Sequence, residues 1–160
     1  MNQICRICNK ENYLIQYKEN VVLCKECKSI YTDLEHGNFP SITSVESTMK
    51  VKLQKKISKI VAESYFEYLK SNQAISIENM LDIGAGYGTF VEIMQKNGIN
   101  AEGIESDEVT VKNSNSNITN AFFDESFSYD KKFDLISINQ CLYYFNNQFK
   151  ILEKVSKMLK

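Results

Sequence analysis

Four of the five cysteines form two Cys-x-x-Cys pairs near the amino terminus, Cys5 with Cys8 and Cys24 with Cys27. Fifteen residues separate the pairs, and this spacing is typical of two metal knuckles, because each pair presents two thiolates toward one side. Together the four sulfurs are expected to close a tetrahedral site for one structural zinc ion, with bonds of about 2.3 Å. A hairpin this small buries too little core to hold itself, so the metal would supply its folding energy.

Two other chemistries remain open for these cysteines. Two disulfides are one alternative, although nothing in the sequence points to an oxidising compartment. Iron in a rubredoxin-like site is the other, because tetrahedral sulfur suits iron as well as zinc. Four cysteines leave no open coordination position, which predicts a structural metal. The only histidine, His36, is not needed as a ligand and is interpreted as a surface residue of a linker.

A glycine-rich segment, Leu-Asp-Ile-Gly-Ala-Gly-Tyr-Gly over residues 81–88, is the second feature with chemical potential. It connects a short apolar run to a predicted helix, and its glycines let the backbone approach a ligand and point amides at it. A dinucleotide fingerprint, Gly-x-Gly-x-x-Gly, would require glycine at position 89, where the chain has Thr89. Asp82 lies two residues before the first glycine.

This arrangement resembles the first motif of the class I S-adenosylmethionine-dependent methyltransferases, and later elements extend the resemblance over about residues 60–160. It implies that the glycine loop takes the methionine moiety of the cofactor and that Glu105 accepts both ribose hydroxyls, since two vicinal hydroxyls match one bidentate carboxylate. It also implies that Phe122 packs on adenine and that Asp124 accepts from the adenine amino group. The implied cofactor-binding residues are Asp82, Gly84, Ala85, Gly86, Gly88, Glu105, Phe122, Asp124 and Asn139.

The sequence departs from the family pattern after the fourth core strand. Many relatives carry a Glu-His pair there, whereas this chain reads Leu-Tyr-Tyr-Phe over residues 142–145. Tyr143 and Tyr144 are candidates for hydrogen bonding to an acceptor hydroxyl, but a phenol with a pKa of about 10 is a poor base. The catalytic residues stay unassigned, and lining a pocket is the alternative role of both tyrosines. Cys141 is interpreted as a small buried apolar residue, because no histidine is available as its base.

A second departure concerns the number of strands. A complete core of this family has seven strands, and this sequence accounts for four. The fourth strand is therefore expected at an exposed sheet edge, open to a complementing chain or to homo-oligomerisation. We expect methyl transfer to a small-molecule or sugar acceptor. The alternatives are a truncated or split zinc-bearing remnant without independent activity, and an RNA methyltransferase.

The elements that position these residues follow from the hydrophobic spacing. Two β-prone runs between the cysteine pairs predict a hairpin, and a linker with Gly37 and Pro40 leads to an amphipathic helix over about residues 45–70. The order of strand, glycine loop, helix, strand, helix and strand that follows predicts an α/β fold, a Rossmann-like parallel sheet of about four strands. The predicted strands are 80–83, 101–104, 118–122 and 133–138, and the predicted helices are 89–96, 107–113 and 149–159.

Length and composition fit this organisation. The predicted domains are a four-cysteine knuckle over 1–31, a linker and amphipathic helix over 32–72, and a truncated cofactor-binding core over 73–160. The chain of 160 residues is 43% hydrophobic and 24% charged, and no apolar run approaches the ~18 residues of a membrane span, so we expect a cytoplasmic protein without a membrane partner. A net charge of −1 and a single arginine, Arg6, argue against a nucleic-acid partner, and the lysines of the predicted helix are interpreted as a solvated face.

Overall fold

The computed structural model describes residues 4–11, 13–19, 21–32, 48–72, 76–114, 116–124 and 126–160. Within these ranges the chain forms a three-stranded antiparallel sheet and a four-stranded parallel sheet with helices. The predicted α/β core behind a small cysteine-bearing hairpin is thereby confirmed. The linker residues His36, Gly37 and Pro40 lie outside the described residues.

The amino-terminal sheet consists of β1 (Leu14–Lys18), β2 (Val21–Cys24) and β3 (Ile30–Thr32), in that order. The β1–β2 hairpin falls where it was predicted. The sequence does not predict the third strand: residues 30 and 31 are assigned to the knuckle without a strand, and Thr32 is assigned to the linker. In this described part of the chain the fully buried side chains are Cys5, Val22 and Cys24. Such a core is too small to hold three strands by apolar burial alone.

The parallel sheet has the strand order β6-β5-β4-β7. Its strands are β4 (Asn79–Ile83), β5 (Asn100–Glu105), β6 (Ile118–Asn120) and β7 (Leu135–Ser137). All pairings are parallel, so the carboxyl ends of the four strands lie along one edge. Because β5 and β7 flank β4 on opposite sides, a crevice opens at the carboxyl end of β4, as at other reversals of strand order.

Helices pack on both faces of this sheet. They are α1 (Thr48–Ser71), α2 (Thr89–Lys96), α3 (Glu108–Lys112) and α4 (Gln148–Met158). Alternate residues of β4 enter different clusters: Met80 packs with α2 and with Ala62 of α1, whereas Leu81 packs with α4. The helix predicted at 45–70 is therefore part of the core. Among the described residues no helix is long and apolar enough to cross a membrane.

Helix α1 carries apolar side chains on two adjoining sides, and only one of these sides packs on the core. Leu53, Ile57, Ile60 and Tyr68 each expose more than half of their surface. The side chains that pack against the core cluster lie on a neighbouring face: Ala62, Tyr65, Phe66 and Leu69. Both sets recur at helical spacing, so periodicity alone does not select the packed face.

The strand β7 lies at an edge of the described sheet, as expected, but β6 and β7 are shorter than predicted. Phe133 leaves the β4 pairing and forms a parallel bridge with Leu159. Asp134 turns its carboxylate to the start of β4, where its Oδ2 accepts from the amide of Asn79 at 2.8 Å. The Lys160 ammonium, 2.9 Å from Asp134 Oδ1, and the Asn79 amide lower the pKa of Asp134 to about 2. Asp134 thus braces the sheet.

Candidate functional site

The loop between β4 and α2 is held in place by backbone contacts. The amides of Gly84 and Ala85 both donate to the carbonyl of Ile104 in β5, at 2.9 and 3.0 Å. Gly84 has φ +74°, and a Cβ there would lie 2.6 Å from Cys141 Sγ. Gly86 has φ +56°, yet a Cβ there would meet nothing within 4 Å. The left-handed backbone therefore requires glycine at position 86, and open space remains beside it.

A cavity of about 710 Å³ opens beside this loop, at the carboxyl ends of β4, β5 and β7. The structure brings nine of the eleven sequence-predicted cofactor and acceptor residues to its wall. They are Asp82, Gly84, Ala85, Gly86, Glu105, Phe122, Asn139, Tyr143 and Tyr144. Three carboxylates, of Asp82, Glu105 and Asp107, line the cavity, and none of its described lining residues is lysine, arginine or histidine.

Gly88 and Asp124 are not in the cavity wall. Gly88 is the buried N-cap residue that precedes α2, and its carbonyl accepts from Ser116 Oγ at 3.0 Å. The Asp124 carboxylate closes a turn, because its Oδ1 accepts from the amides of Ser126 and Phe127 at 2.8 and 3.1 Å. The Ser126 hydrogen bonds also lower the pKa of Asp124. The structure assigns Gly88 to the helix start and Asp124 to this turn.

Glu105, the last residue of β5, is tied to the glycine loop. Its Oε2 accepts from the Gly86 amide at 3.0 Å, and its Oε1 accepts from the Asp107 amide at 2.9 Å. Oε1 also accepts from Ser106 Oγ at 3.3 Å, so the described donors leave a lone pair on Oε2, and the carboxylate lines the cavity. Glu105 can therefore accept a further hydrogen bond from a ligand while it fixes the loop.

Asp82 is a buried carboxyl at the centre of the crevice, 4% exposed. Ser137, its neighbour on β7, donates to Asp82 Oδ1 at 2.5 Å. Burial raises the pKa of Asp82 to about 7; the Ser137 hydrogen bond lowers it and the charge of Glu105 raises it further. The carboxyl therefore changes protonation near neutral pH. Sequence reasoning missed Ser137, because only the β4–β7 register brings it to Asp82.

Side chains after β7 form the opposite rim of the cavity. The rings of Tyr143 and Tyr144 are tilted, with their centroids 4.3 Å apart. The hydrogen bond with Tyr144, together with burial, raises the pKa of Tyr143 to about 12, so its phenol stays protonated at neutral pH. Cys141 is half-buried and donates to the Ile83 carbonyl at 3.0 Å. Burial and the nearby carboxylates raise the pKa of its thiol to about 12, which disfavours a nucleophilic role.

Helix α1 supplies a cavity wall that sequence reasoning missed. Seven of its residues line the cavity: Val51, Gln54, Ile57, Ser58, Val61, Ala62 and Tyr65. They recur at three- and four-residue steps, which is the only signal in the sequence. The same spacing describes any packed helix face, so it does not distinguish a cavity wall from a core contact.

A separate candidate metal centre lies in the amino-terminal sheet. The sulfurs of Cys5, Cys8, Cys24 and Cys27 all lie within 4.8 Å of one another. Cys5 Sγ is 3.8 Å from Cys27 Sγ, and Cys8 Sγ is 3.7 Å from Cys24 Sγ. A tetrahedron with metal–sulfur bonds of about 2.3 Å has edges of about 3.8 Å, whereas a disulfide is about 2.0 Å long. The spacing therefore fits a metal better than disulfides.

The two cysteine pairs adopt the same turn. The carbonyl of Cys5 accepts from the amide of Asn9, and that of Cys24 from the amide of Lys28, both at 2.9 Å. Asn9 and Lys28 both have left-handed backbones, with φ +57° and +62°. Each turn thus presents its two thiols toward the other pair. Burial and the three neighbouring thiols raise the pKa of Cys8 to about 12, whereas backbone and Ser29 hydrogen bonds lower the pKa of Cys5 to about 6 despite burial.

Known methyltransferases resemble this chain in sequence and in fold. The sequence profile of a family described as "Methyltransferase domain" matches residues 45–160. The solved plantazolicin methyltransferase BpumL, in complex with a pentazolic desmethylPZN analog and SAH, is 27% identical; the match covers 64% of this chain and 43% of that one, with a TM-score of 0.53. A SAM-dependent methyltransferase from Archaeoglobus fulgidus is 24% identical, with coverages of 66% and 48% and a TM-score of 0.52.

A more distant structure shares the fold. The glycopeptide N-methyltransferase MtfA, complexed with (S)-adenosyl-L-methionine, is 13% identical, with coverages of 62% and 50% and a TM-score of 0.51. The chain spans about half the length of these solved structures. No curated protein sequence matches it.

Proposed function

This chain belongs to the methyltransferase domain family matched over residues 45–160, and on that premise we propose that it binds S-adenosylmethionine in the cavity beside the glycine loop. We further propose that the bound cofactor serves methyl transfer to a small-molecule or sugar acceptor. The observation that carries the proposal is the pairing of Gly86 with Glu105. A loop amide with open space beside it is fixed by a carboxylate that itself lines the cavity.

The residues of the cavity wall fit the proposed cofactor. Glu105 offers an acceptor position on Oε2 for a hydroxyl, and the ring of Phe122, 65% exposed, offers an apolar face for adenine. Asp82 offers a carboxyl for an ammonium group. Because the described wall carries carboxylates and no basic side chain, it favours a ligand with positive charge, as a sulfonium has. Gly84, Ala85 and Asn139 complete the proposed set.

When bound, S-adenosylmethionine supplies an electrophilic methyl group. The contribution of this chain is to orient the reactants and to exclude water, because substitution at a methyl group depends on alignment. Tyr143 keeps its proton at neutral pH, so we assign it a hydrogen-bonding role toward the acceptor rather than that of a base. Neither this phenol nor the Cys141 thiol is suited to remove a proton.

Calorimetric titration with S-adenosylhomocysteine (SAH) tests cofactor binding without the acceptor. We expect the purified chain to bind SAH and Glu105→Ala to bind it at least about tenfold more weakly, because a charge-assisted hydrogen bond contributes about 1.5–3 kcal/mol. Glu92→Ala removes an exposed carboxylate that pairs with Lys96 on α2, and it should bind like wild type. A folded wild-type chain without SAH affinity would refute the proposal, as would unchanged binding by Glu105→Ala.

We also propose that Cys5, Cys8, Cys24 and Cys27 hold one structural zinc ion. The sulfur separations and the paired turns support it. Elemental analysis of the purified chain should give about one zinc per chain, and Cys24→Ser should lower that ratio. An iron-loaded chain would absorb visible light and would replace zinc by iron in the proposal. A metal-free chain with an intact amino-terminal sheet would contradict it.

The edge of β7 supports a further proposal about partners. In the described sheet β7 pairs with β4 on one side, and beyond it the pairing is the single bridge of Phe133 with Leu159. We propose that a strand of a complementing chain, or of a second copy, adds along this edge. Light scattering of the purified chain distinguishes a dimer from a monomer. A monomer that transfers methyl groups unaided would contradict the need for a partner.

A further inference from the structure

Helix α1 contacts the glycine loop directly. The Tyr87 hydroxyl, between Gly86 and Gly88, donates to Gln54 Oε1 of α1 at 3.0 Å. The Lys55 ammonium lies 5.4 Å from the centroid of the Tyr87 ring. One side chain of the loop is thus held by two adjacent residues of the helix.

Lys55 of α1 also contacts a second segment beside the cavity. Its Nζ donates to the carbonyl of Asn113, the C-cap residue that follows α3. The helix α3 begins at the Asp107 cap, and Asp107 also donates its amide to Glu105. Through Lys55, α1 is therefore connected both to the loop and to the segment that follows Glu105.

The composition of the loop makes Tyr87 its side-chain anchor. The segment from Gly84 to Gly88 contains three glycines and one alanine, so Tyr87 is the one residue in it whose side chain can form a hydrogen bond. The start of α2 has no side-chain cap either. A loop of this composition loses much conformational freedom when it is ordered, and an external contact reduces the number of states it samples.

We propose that Gln54, Lys55 and Tyr87 form a latch that holds α1 closed over the cofactor cavity and keeps the glycine loop in its binding conformation. This inference rests on the proposed cofactor site. Lys55 is a positioning residue, because it acts on a ligand through Tyr87 and through the α1 wall. Gln54 and Tyr87 also line the cavity themselves, so hydrogen exchange of the ligand-free protein separates their role in the latch from direct contact with a ligand. Opening the latch releases the wall and the loop together, so its main effect falls on the dissociation rate of the ligand.

Tyr87→Phe and Gln54→Leu each remove the same hydrogen bond and keep the bulk of the side chain. With SAH as the probe, we expect each variant to bind about 3- to 10-fold more weakly, through faster dissociation, which is the range for one neutral hydrogen bond. The double variant should bind no more weakly than either single variant, because the bond is already lost. Gln54→Glu keeps an acceptor oxygen for the Tyr87 hydroxyl, so its affinity for SAH should be close to that of wild type. Lys59→Ala, at an exposed position of the same helix, serves as the control.

Equal SAH affinity of wild type and Tyr87→Phe would overturn the latch, as would additive effects in the double variant. Hydrogen exchange of the loop amides in the ligand-free protein separates this result from failure of the cofactor site. If wild type binds no SAH but Tyr87→Phe speeds exchange at residues 85–88, the latch stands and the cofactor proposal fails. If exchange is unchanged, the latch itself is refuted. Thermal unfolding of each variant verifies that it is folded.

Discussion

At the scale of single residues, Asp82 is the most unusual group of the core. It lies 4% exposed at the carboxyl end of β4, beside the cavity, and its described hydrogen-bond donor is Ser137 at 2.5 Å. One hydroxyl donor does not compensate a buried carboxylate for the loss of water. The carboxyl therefore favours its neutral form in the ligand-free protein, and a cationic ligand group would favour its ionised form.

This leads to a prediction about pH and stability. Burial raises the pKa of Asp82 from 3.8 to about 7 in the folded chain, so between these values the folded state holds a proton that the unfolded state releases. Asp82 therefore lowers the free energy of unfolding as the pH rises from about 4 to 7, and its effect levels off above 7. We expect urea unfolding of Asp82→Asn to show a weaker decline than wild type over this range.

The control for this experiment is Asp130→Asn, which changes an exposed aspartate in the segment that leads to β7. It should follow the wild-type profile, because its carboxyl is not buried. Identical pH profiles of wild type and Asp82→Asn would show that the Asp82 carboxyl titrates as it does in the unfolded chain.

A second residue-scale prediction uses two glycines with similar backbones. Gly86 and Gly98 have φ +56° and +82°, and a Cβ at either position meets nothing within 4 Å. Alanine at either position should therefore lower the free energy of unfolding by a similar amount, about 1 kcal/mol, because of the left-handed backbone alone. Only Gly86 lines the cavity, so we expect only Gly86→Ala to weaken SAH binding by calorimetry. Equal SAH affinities of the two variants would place the ligand away from the loop.

At the scale of elements, the loop rests on β5 through a glycine that the sequence motifs did not single out. A Cβ on Gly103 would lie 2.6 Å from both Ala85 Cβ and Ile118 Cδ1, and 3.2 Å from Val91 Cγ2. The close approach of loop, α2 and β6 to the second strand therefore depends on the missing side chain. Glycine inside a strand often marks such an approach.

We expect Gly103→Ala to lower the free energy of unfolding by about 1–3 kcal/mol, because overpacking forces neighbouring backbone to move. The displaced Ala85 should also weaken SAH binding. Asn100→Ala changes an exposed residue of the same strand; it loses a hydrogen bond to Asn79 Oδ1, which should cost about 1 kcal/mol or less, and it should leave SAH binding unchanged. Urea unfolding and calorimetry measure the two effects. A Gly103→Ala variant as stable as wild type would mean that the loop and β6 adjust without strain.

At the scale of the whole molecule, the described residues form two separate cores that differ in what stabilises them. The parallel sheet buries two apolar clusters whose members all lie between Ala62 and Met158. The amino-terminal sheet fully buries Val22 and the two thiols Cys5 and Cys24. The first core is held by apolar packing, whereas the second requires a bound metal in the proposed arrangement.

A chelator should therefore act on one core only. We expect EDTA to release the metal and to unfold the amino-terminal sheet, seen as faster hydrogen exchange at β1 and β2. The melting of the parallel sheet and its affinity for SAH should change little. Slow exchange in the metal-free chain would indicate that the three strands are stable without metal. Loss of SAH binding would indicate that the two cores depend on each other.

Much of the fold and part of the site could be predicted from residues near one another in the sequence. The strand, loop and helix from Met80 to Lys96 lie where expected, because hydrophobic runs and glycines set local conformation directly. The paired cysteine turns were likewise predictable from their spacing. The local surroundings of Asp124 were not predictable in this way, because the amides of Ser126 and Phe127 that engage its Oδ1 meet it only through the turn.

The sequence by itself determined the α/β core, the glycine loop, Glu105 at a strand end and the four-thiol cluster, since each depends on spacing along the chain. Only the tertiary structure decided which side chains meet. Ser137 reaches Asp82 through the β4–β7 register, and Cys141 fills the space beside Gly84. Tyr87 reaches Gln54 because α1 packs with one of its two apolar faces inward. These contacts join residues that are 33 to 57 positions apart in the sequence. They depend on strand order and helix packing, which the spacing of nearby residues does not determine.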